Sequence, residues 1–188
     1  MRKFIFIIIG LGVFLLFGCA YTPVEILPKH IKTIAVPTFI NRTAHYGIES
    51  KLTDAVIEEF IRDGHLSIAK KKEADALLTG EIITYVLEPL SYDATEVVEQ
   101  YKLWVIVNLT FQDLATGEVL WEEKRESIEG NLVGGIEGDV RYYVTPRAGR
   151  TVETEEEAQE RLVVELADHI VRRTVYGWGS QIEIQSGR

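Results

Sequence analysis

The sequence has little cysteine, fewer bases than acids, and only one long apolar run. A single cysteine, Cys19, excludes an intramolecular disulfide framework and leaves the thiol for another use. The 20 lysine and arginine residues are outnumbered by 29 aspartate and glutamate residues. That balance argues against general nucleic-acid binding, which depends on neutralising phosphates with basic side chains. The chain shows no internal repeat, and its length suits one domain with an ordinary core.

The one long apolar run covers residues 4–17 and follows Arg2 and Lys3. A membrane-spanning helix needs about 20 apolar residues, so this run is too short to be more than a marginal span. A charged start and a short apolar stretch are typical of a secretory signal, and we predict a signal peptide over residues 1–18. The alternative is an uncleaved anchor helix that ends on a buried thiol.

The end of the run, residues 16–19 (Leu-Phe-Gly-Cys), resembles the lipobox of bacterial lipoproteins, although Phe17 is bulkier than the usual pattern. The resemblance implies cleavage before Cys19, with a diacylglyceryl group on its sulfur and an N-acyl chain on its nitrogen. One acyl chain binds a membrane reversibly, at about 0.8 kcal/mol per buried methylene, so several chains are needed for durable anchoring. Ala20 in the next position implies, by the same resemblance, sorting to the outer membrane.

After cleavage the formal charge falls from −9 to −11, because residues 1–18 contain two bases and no acids. Residues 19–30, which include Pro23 and Pro28, are predicted to be an extended lipidated tether. A single domain is predicted over 31–176, followed by a flexible tail over 177–188.

Periodicity predicts the order strand, helix, strand, strand, strand, helix. The first strand is β-branched and covers residues 31–36, and an apolar residue at every fourth position predicts a helix over 47–63 that ends at Gly64. Residues 66–69 are predicted to pair at a sheet edge. The later strands are predicted at 76–87, 101–112 and 119–128, the second of these from strict alternation and the third as its hairpin partner.

A second helix is predicted from Thr154, because Glu157 three residues later completes a capping box. Two helices cover one side of a sheet, which predicts an α+β domain: a two-layer sandwich of a four-stranded, mixed but mostly antiparallel sheet with both helices on one face. The handedness of crossovers makes the first strand parallel to one that follows the first helix.

The residues suggest no catalytic centre, no metal site and no cofactor apart from the covalent lipid. The four histidines share no metal-ligand spacing and are predicted to lie on loops or at the surface; they are His30, His45, His65 and His169. Residues 134–138 lack the Lys-Ser/Thr end of a phosphate loop and are predicted to be a flexible loop. The acidic run 153–160 is interpreted as solvated charge at a helix start rather than as a cation site.

Two features indicate binding. Trp104 lies on the polar side of the central strand, with Trp121 across the hairpin, so that side is either a partner surface or packed under a loop or the helices. Residues 131–153 are predicted to be a long connection, and such loops are usually functional or disordered. Its basic and aromatic residues are candidate contacts for an anionic headgroup or a partner: Arg141, Tyr142, Tyr143, Arg147 and Arg150.

Four further stretches, together with the lipobox, resemble the lipopolysaccharide-assembly lipoprotein family LptE. They are residues 32–43, residues 73–82, residues 87–93 (Leu-Glu-Pro-Leu-Ser-Tyr-Asp) and residues 113–122 (Asp-Leu-Ala-Thr-Gly-Glu-Val-Leu-Trp-Glu). The resemblance implies two helices on a four-stranded sheet and a non-enzymatic subunit of the outer-membrane lipopolysaccharide translocon. It also implies that the subunit plugs a large LptD-like β-barrel partner, assists its assembly and binds lipopolysaccharide.

Two other classes of function remain open at this stage. One is an envelope lipoprotein that activates a periplasmic cell-wall synthase or helps to build a secretion pore. The other is a lipoprotein hydrolase, which would need a nucleophile and a base brought together by folding. Co-purification of a barrel, a synthase or a pore subunit would separate the first class from the translocon subunit.

Overall fold

The computed structural model describes residues 27–128, 131–146, 149 and 151–177. The predicted signal peptide, the predicted lipidation site Cys19, the candidate contacts Arg147 and Arg150, and all of the predicted tail over 177–188 except Gly177 lie outside the described residues.

The described part of the chain forms two α-helices and nine β-strands. In chain order they are β1 (Thr33–Ala35), β2 (Ile40–Asn41), α1 (Ile48–Asp63), β3 (Ser67–Ile68), β4 (Ala76–Tyr92), β5 (Val98–Asp113), β6 (Val119–Glu123), β7 (Glu126–Ile128), β8 (Asn131–Val133), β9 (Ile136–Tyr143) and α2 (Glu155–Tyr176).

One mixed sheet holds seven of the strands found in the described residues. Its main order is β3-β1-β4-β5-β6, with β2 beside β4 and β9 beside β5. Strand β1 runs parallel to both β3 and β4, as the crossover rule predicted, while β4, β5, β6 and β9 pair antiparallel. The predicted α+β class is therefore confirmed, and the edge strand predicted near residue 66 is present as β3. The sheet contains more strands than the predicted four.

The sequence interpretation of residues 131–153 as one long connection is wrong. Strand β9 occupies 136–143 and pairs along β5, from Val107 with Ile136 to Gln100 with Tyr143. Part of the segment predicted as a flexible loop, residues 134–138, therefore lies in the sheet. The alternation of apolar and polar residues that would have indicated a strand was hidden because the inward positions of β9 include Gly138. An ideal Cβ at Gly138 would lie only 2.7 Å from the Leu166 Cγ. A glycine at that position lets α2 approach the sheet closely.

The hairpin partner predicted over 119–128 also differs from the structure. The strand paired with β5 ends after β6, and β7 pairs instead with β8 in a separate two-stranded sheet. The backbone N–H of Arg125 donates to the Asn108 side-chain oxygen at 2.8 Å, and this bond holds the segment between β6 and β7 against β5.

Helix α1 ends at Gly64 and helix α2 begins after Thr154, as the sequence predicted. In α1, Gly64 adopts φ 77° and donates its N–H to the Phe60 carbonyl, while Leu52 and Val56 are fully buried. In α2, the Thr154 hydroxyl accepts from the Glu157 N–H, and the Glu157 carboxylate accepts from the Thr154 N–H at 2.8 Å. The inner faces of the two helices and of the sheet form one apolar core.

The N-terminal end of the domain is clamped by two aspartates. The His30 Nε2 lies 2.7 Å from a carboxylate oxygen of Asp113, which is almost fully buried at the end of β5. The Asp75 carboxylate accepts hydrogen bonds from the backbone N–H groups of Lys32 and Thr33 and from the Thr33 hydroxyl. The chain therefore enters the domain beside Asp113, at the end of β5 that lies farthest from the β4–β5 turn.

Candidate interaction surface

The two sides of β5 differ in chemistry because its residues alternate. Leu103, Val105 and Val107 are fully buried against the helices. Lys102, Trp104 and their alternate neighbours lie on the opposite side, which we call the outer face. Residues paired directly across strands share a side, so Asp139 (opposite Trp104) and Arg141 (opposite Lys102) lie on the outer face as well.

Trp104 lies half-buried on this outer face between two cations. The Lys102 Nζ is 5.5 Å and the Arg125 Cζ is 5.9 Å from the Trp104 ring centroid. The Trp104 Nε1 is buried and has no hydrogen-bond acceptor among the described residues, and the same holds for the Arg125 Nε. Tryptophan and arginine are the residue types that most often dominate binding energy in protein interfaces.

Ion pairs hold the two cations in place. The Arg125 guanidinium donates to the Glu137 carboxylate at 3.0 Å and to the Gly134 carbonyl at 3.3 Å. The Lys102 ammonium lies 3.6 Å from the Asp139 carboxylate. Arg141 is exposed and forms no ion pair within the described part of the chain. Its charge is therefore available to an anionic group that approaches the outer face.

The two predicted tyrosines lie on opposite sides of β9. Tyr142 is 3% exposed and stacks on Tyr101 with ring centroids 5.9 Å apart, so it is a core residue rather than a contact. Burial, with the nearby charge of Glu155, raises the pKa of Tyr142 to about 12. Tyr143 pairs with Gln100 and is half-buried on the outer face.

A shallow depression of about 330 Å³ lies at the end of β9. The Arg161 guanidinium donates to the Glu153 carboxylate at 2.6 Å and to the Arg141 carbonyl at 3.1 Å along its wall. The residues that line the depression are Arg141, Tyr142, Tyr143, Gly149, Thr151, Glu153 and Arg161.

The structure thus brings together part of the predicted site. Trp104, Arg141 and Tyr143 share the outer face, Tyr142 does not, and Arg147 and Arg150 cannot be placed because they are not described. Trp121 lies on the helix side, 6% exposed, with the Arg173 guanidinium 4.9 Å from its ring centroid.

Sequence reasoning missed Lys102 and Arg125. Alternation along β5 places Lys102 on the same side as Trp104, so that residue could have been found. Arg125 reaches the outer face only because the strand is interrupted between β6 and β7, and no local sequence pattern predicts that interruption.

The described histidines are dispersed. His30 contacts Asp113, His45 stacks on Tyr85 with ring centroids 3.7 Å apart, and His65 lies 2.9 Å from the Asp63 carboxylate. Within the described residues, no group of three or more His, Cys, Asp or Glu side chains could hold a metal ion. No helix in that part of the chain has the length and apolar character to cross a membrane.

Comparison with known families decides the assignment. The family model LptE, described as lipopolysaccharide-assembly, matches residues 31–174, which include the whole sheet and nearly all of α2. The chain belongs to the LptE family. Membership makes it an envelope lipoprotein of the lipopolysaccharide-assembly class. No curated protein matches the chain at a significant level.

The solved structures that match share little sequence with this family member. The hypothetical protein CT253 from Chlamydia trachomatis is 10% identical with a TM-score of 0.50, over 78% of this chain and 97% of that one. Protein XCC0632 from Xanthomonas campestris is 12% identical with a TM-score of 0.48, over 87% and 93%. The PelC L103M dodecamer from Paraburkholderia phytofirmans is 12% identical with a TM-score of 0.47, over 77% and 89%.

Proposed function

We propose that this protein is an outer-membrane lipoprotein subunit of the lipopolysaccharide translocon. It plugs and helps to assemble a large LptD-like β-barrel partner, and it binds lipopolysaccharide. The observation that carries the proposal is the family match across the whole folded domain. Lipid on Cys19 anchors the protein to the periplasmic side of the outer membrane, and catalysis forms no part of the role.

The outer face supports the binding part of this proposal. Lipopolysaccharide combines phosphates with apolar chains, and the outer face combines the exposed cation Arg141 with a half-buried indole at Trp104. In a protein whose formal charge is −9, attraction of an anion must be local. Arg141 lies directly across from Lys102 in the β5–β9 pairing, and Arg147 and Arg150 follow in sequence.

Affinity purification from outer membranes in mild detergent tests the partner. We expect the lipidated protein to bring down a large β-barrel protein in stoichiometric yield. Recovery of a cell-wall synthase or a secretion-pore subunit instead would favour the alternative function, and recovery of the lipoprotein alone would contradict the proposal.

A Cys19→Ala variant tests the anchor. Without the thiol, lipid attachment and the cleavage that follows it are blocked, so the precursor should stay in the inner membrane. Membrane fractionation measures its location, and Cys19→Ser is the matched control because it also lacks a thiol but keeps a similar size. Outer-membrane fractionation of both variants would show that lipid does not hold the protein.

A further inference from the structure

Most of the lysines lie at the end of the domain where the chain enters. After residue 18 the sequence contains eight lysines. Five of these fall in two short segments, one just before β1 and one just after β3, and all five are exposed; they are Lys29, Lys32, Lys70, Lys71 and Lys72. We call these five residues the entry patch.

Hydrogen bonds hold the two segments of the entry patch side by side. The Asp75 carboxylate accepts from the backbone N–H of Lys32 at 3.0 Å, and the Thr33 hydroxyl donates to the Glu73 carbonyl at 3.5 Å. The Glu73 N–H donates to the Lys70 carbonyl at 2.8 Å, which closes the lysine-rich segment into a tight turn. The five ammonium groups therefore extend from adjacent loops.

The surrounding acids do not neutralise the entry patch. Among the residues that the structure describes, the lysines that form ion pairs lie elsewhere in the molecule. The carboxylates of Asp75 and Asp113 are engaged in the hydrogen bonds that clamp the chain entry. Glu73 and Glu118 are the exposed acids on these loops and on the adjoining turn after β5, so five exposed cations face two exposed anions. The patch is a local positive surface on a protein whose formal charge is −9.

The length of the tether keeps the entry patch near the bilayer that holds the lipid. Cys19 precedes Lys29 by ten residues, which span at most about 36 Å when fully extended. Two groups joined by so short a linker meet at a high effective concentration, so a weak attraction between them is enough for contact. A domain that plugs a barrel also keeps this end at the rim, because its lipid lies in the bilayer outside.

Charge and reach together select one occupant for the entry patch. A second copy of this chain would bring two positive patches together, which is repulsive. An acidic protein would match the charge, but the tether does not hold one nearby. Anionic phospholipid satisfies both conditions, because its phosphates attract ammonium groups and its surface lies within reach of the tether. Basic clusters beside a membrane anchor bind anionic headgroups in this way and strengthen the anchor.

We propose that the entry patch binds the phosphates of anionic phospholipids in the bilayer that holds the tether. This contact adds to the lipid anchor and turns the entry end of the domain toward the membrane. The proposal rests on the lipidation of Cys19 that belongs to the proposed function. It is separate from lipopolysaccharide binding at the outer face.

Amine labelling of the full-length lipidated protein on vesicles tests the proposal. The protein is added to preformed vesicles of phosphatidylcholine alone or of an equimolar mixture with phosphatidylglycerol. A brief reaction with an N-hydroxysuccinimide ester then modifies exposed lysines, and mass spectrometry measures the modified fraction at each position. We expect the five patch lysines to react at least about fivefold less on the anionic vesicles, because phosphate holds their ammonium groups at the surface.

A lysine outside the patch serves as the internal control. Lys51 has a side chain that is 40% exposed, and it lies in the first turn of α1, about 18 Å along the helix from Asp63. Its reaction should agree within about twofold between the two kinds of vesicle, since charges more than a Debye length from the bilayer are screened. Protection of the patch should disappear in about 1 M sodium chloride, where the Debye length falls to about 3 Å.

A triple charge reversal tests the electrostatic part. The variant carries Lys70→Glu, Lys71→Glu and Lys72→Glu, which leaves Lys29 and Lys32 as reporters. These two lysines should then react within about twofold on both kinds of vesicle, because the reversed segment repels anionic headgroups. The matched control replaces the same three residues by arginine, which keeps the charge and should keep the protection. Circular dichroism checks that both triple variants fold.

Three results would overturn the proposal: equal labelling of the patch on both kinds of vesicle, protection that survives the charge reversal, or protection that occurs in native outer membranes but not on anionic vesicles. The last result would assign the patch to a protein. Flotation with phosphatidylcholine vesicles reports the lipid anchor by itself, because that bilayer has no net charge. A barrel that co-purifies while the patch stays unprotected on both vesicles refutes the patch alone. Salt-sensitive protection without barrel co-purification refutes the translocon role alone.

Discussion

Gly80 is a position in the sheet at which a single added methyl group should be costly. An ideal Cβ there would lie 2.7 Å from the Phe39 Cδ2 and Cε2 atoms and 2.8 Å from Cγ. The Phe39 ring is 3% exposed, and the Phe39 backbone N–H donates to the Thr53 hydroxyl on α1 at 3.0 Å. The ring therefore packs in the core between strand β4 and helix α1, where the surrounding buried side chains leave it little room to move away.

Gly80→Ala should destabilise the domain by about 2 kcal/mol, within the 1–3 kcal/mol that overpacking usually costs. For a chain of this size, that loss lowers the melting temperature by about 4–8 °C. Urea unfolding of the mature, non-lipidated chain measures the change, and Thr79→Ala, at the exposed neighbouring position, is the control, expected within about 0.5 kcal/mol of wild type.

A double-mutant cycle identifies the cause. Phe39→Ala alone should cost about 3–5 kcal/mol, because it empties a buried aromatic site. In that background the new methyl group has space, so Gly80→Ala should add less than about 0.5 kcal/mol. Equal costs of Gly80→Ala in both backgrounds, or no cost in the wild type, would refute the steric explanation.

Three further predictions concern the cap of α2, the two aspartates at the chain entry and the outer face. Thr154→Ala removes the cap of α2 and should cost about 1 kcal/mol in thermal unfolding, whereas Thr154→Ser should keep most of the stability. Hydrogen bonds to Asp75 from Lys32 and Thr33, and to Asp113 chiefly from His30, lower the pKa of both carboxylates below their usual value of 3.8. Their stabilising effect is therefore complete above pH 3.8 and is lost as the pH falls through the lowered pKa values; unfolding midpoints that do not change between pH 5 and pH 2 would contradict this. Arg141→Glu should weaken binding to purified lipopolysaccharide several-fold without changing the melting temperature, while unchanged binding would remove Arg141 from the site.

The sequence predicts the elements whose patterns are local. Strict alternation from residue 101 to residue 111 predicts β5, the four-residue spacing from Ile48 to Phe60 predicts α1, and the Thr154–Glu157 pair predicts the start of α2. Each of these signals depends on residues that are neighbours on one strand or helix, so no tertiary information is needed to read them.

The candidate site depends instead on pairing between distant segments. Lys102 and Arg141 become neighbours only through the register of β5 and β9, and β9 resembles a loop because Gly138 occupies an inward position. Arg125 lies near Trp104 because the strand that pairs with β5 is interrupted between β6 and β7. The sequence therefore predicts Trp104 and Arg141 as candidates, but it cannot show that they share a face or that Tyr142 lies in the core.

Surface labelling of newly made lipopolysaccharide after depletion of this protein tests the proposed translocon role. We expect lipopolysaccharide to disappear from the cell surface and to accumulate inside the envelope, and we expect the wild-type chain to restore export. Unchanged surface labelling, accompanied by a fall in cell-wall synthesis or in secretion, would contradict the translocon role and support the alternative.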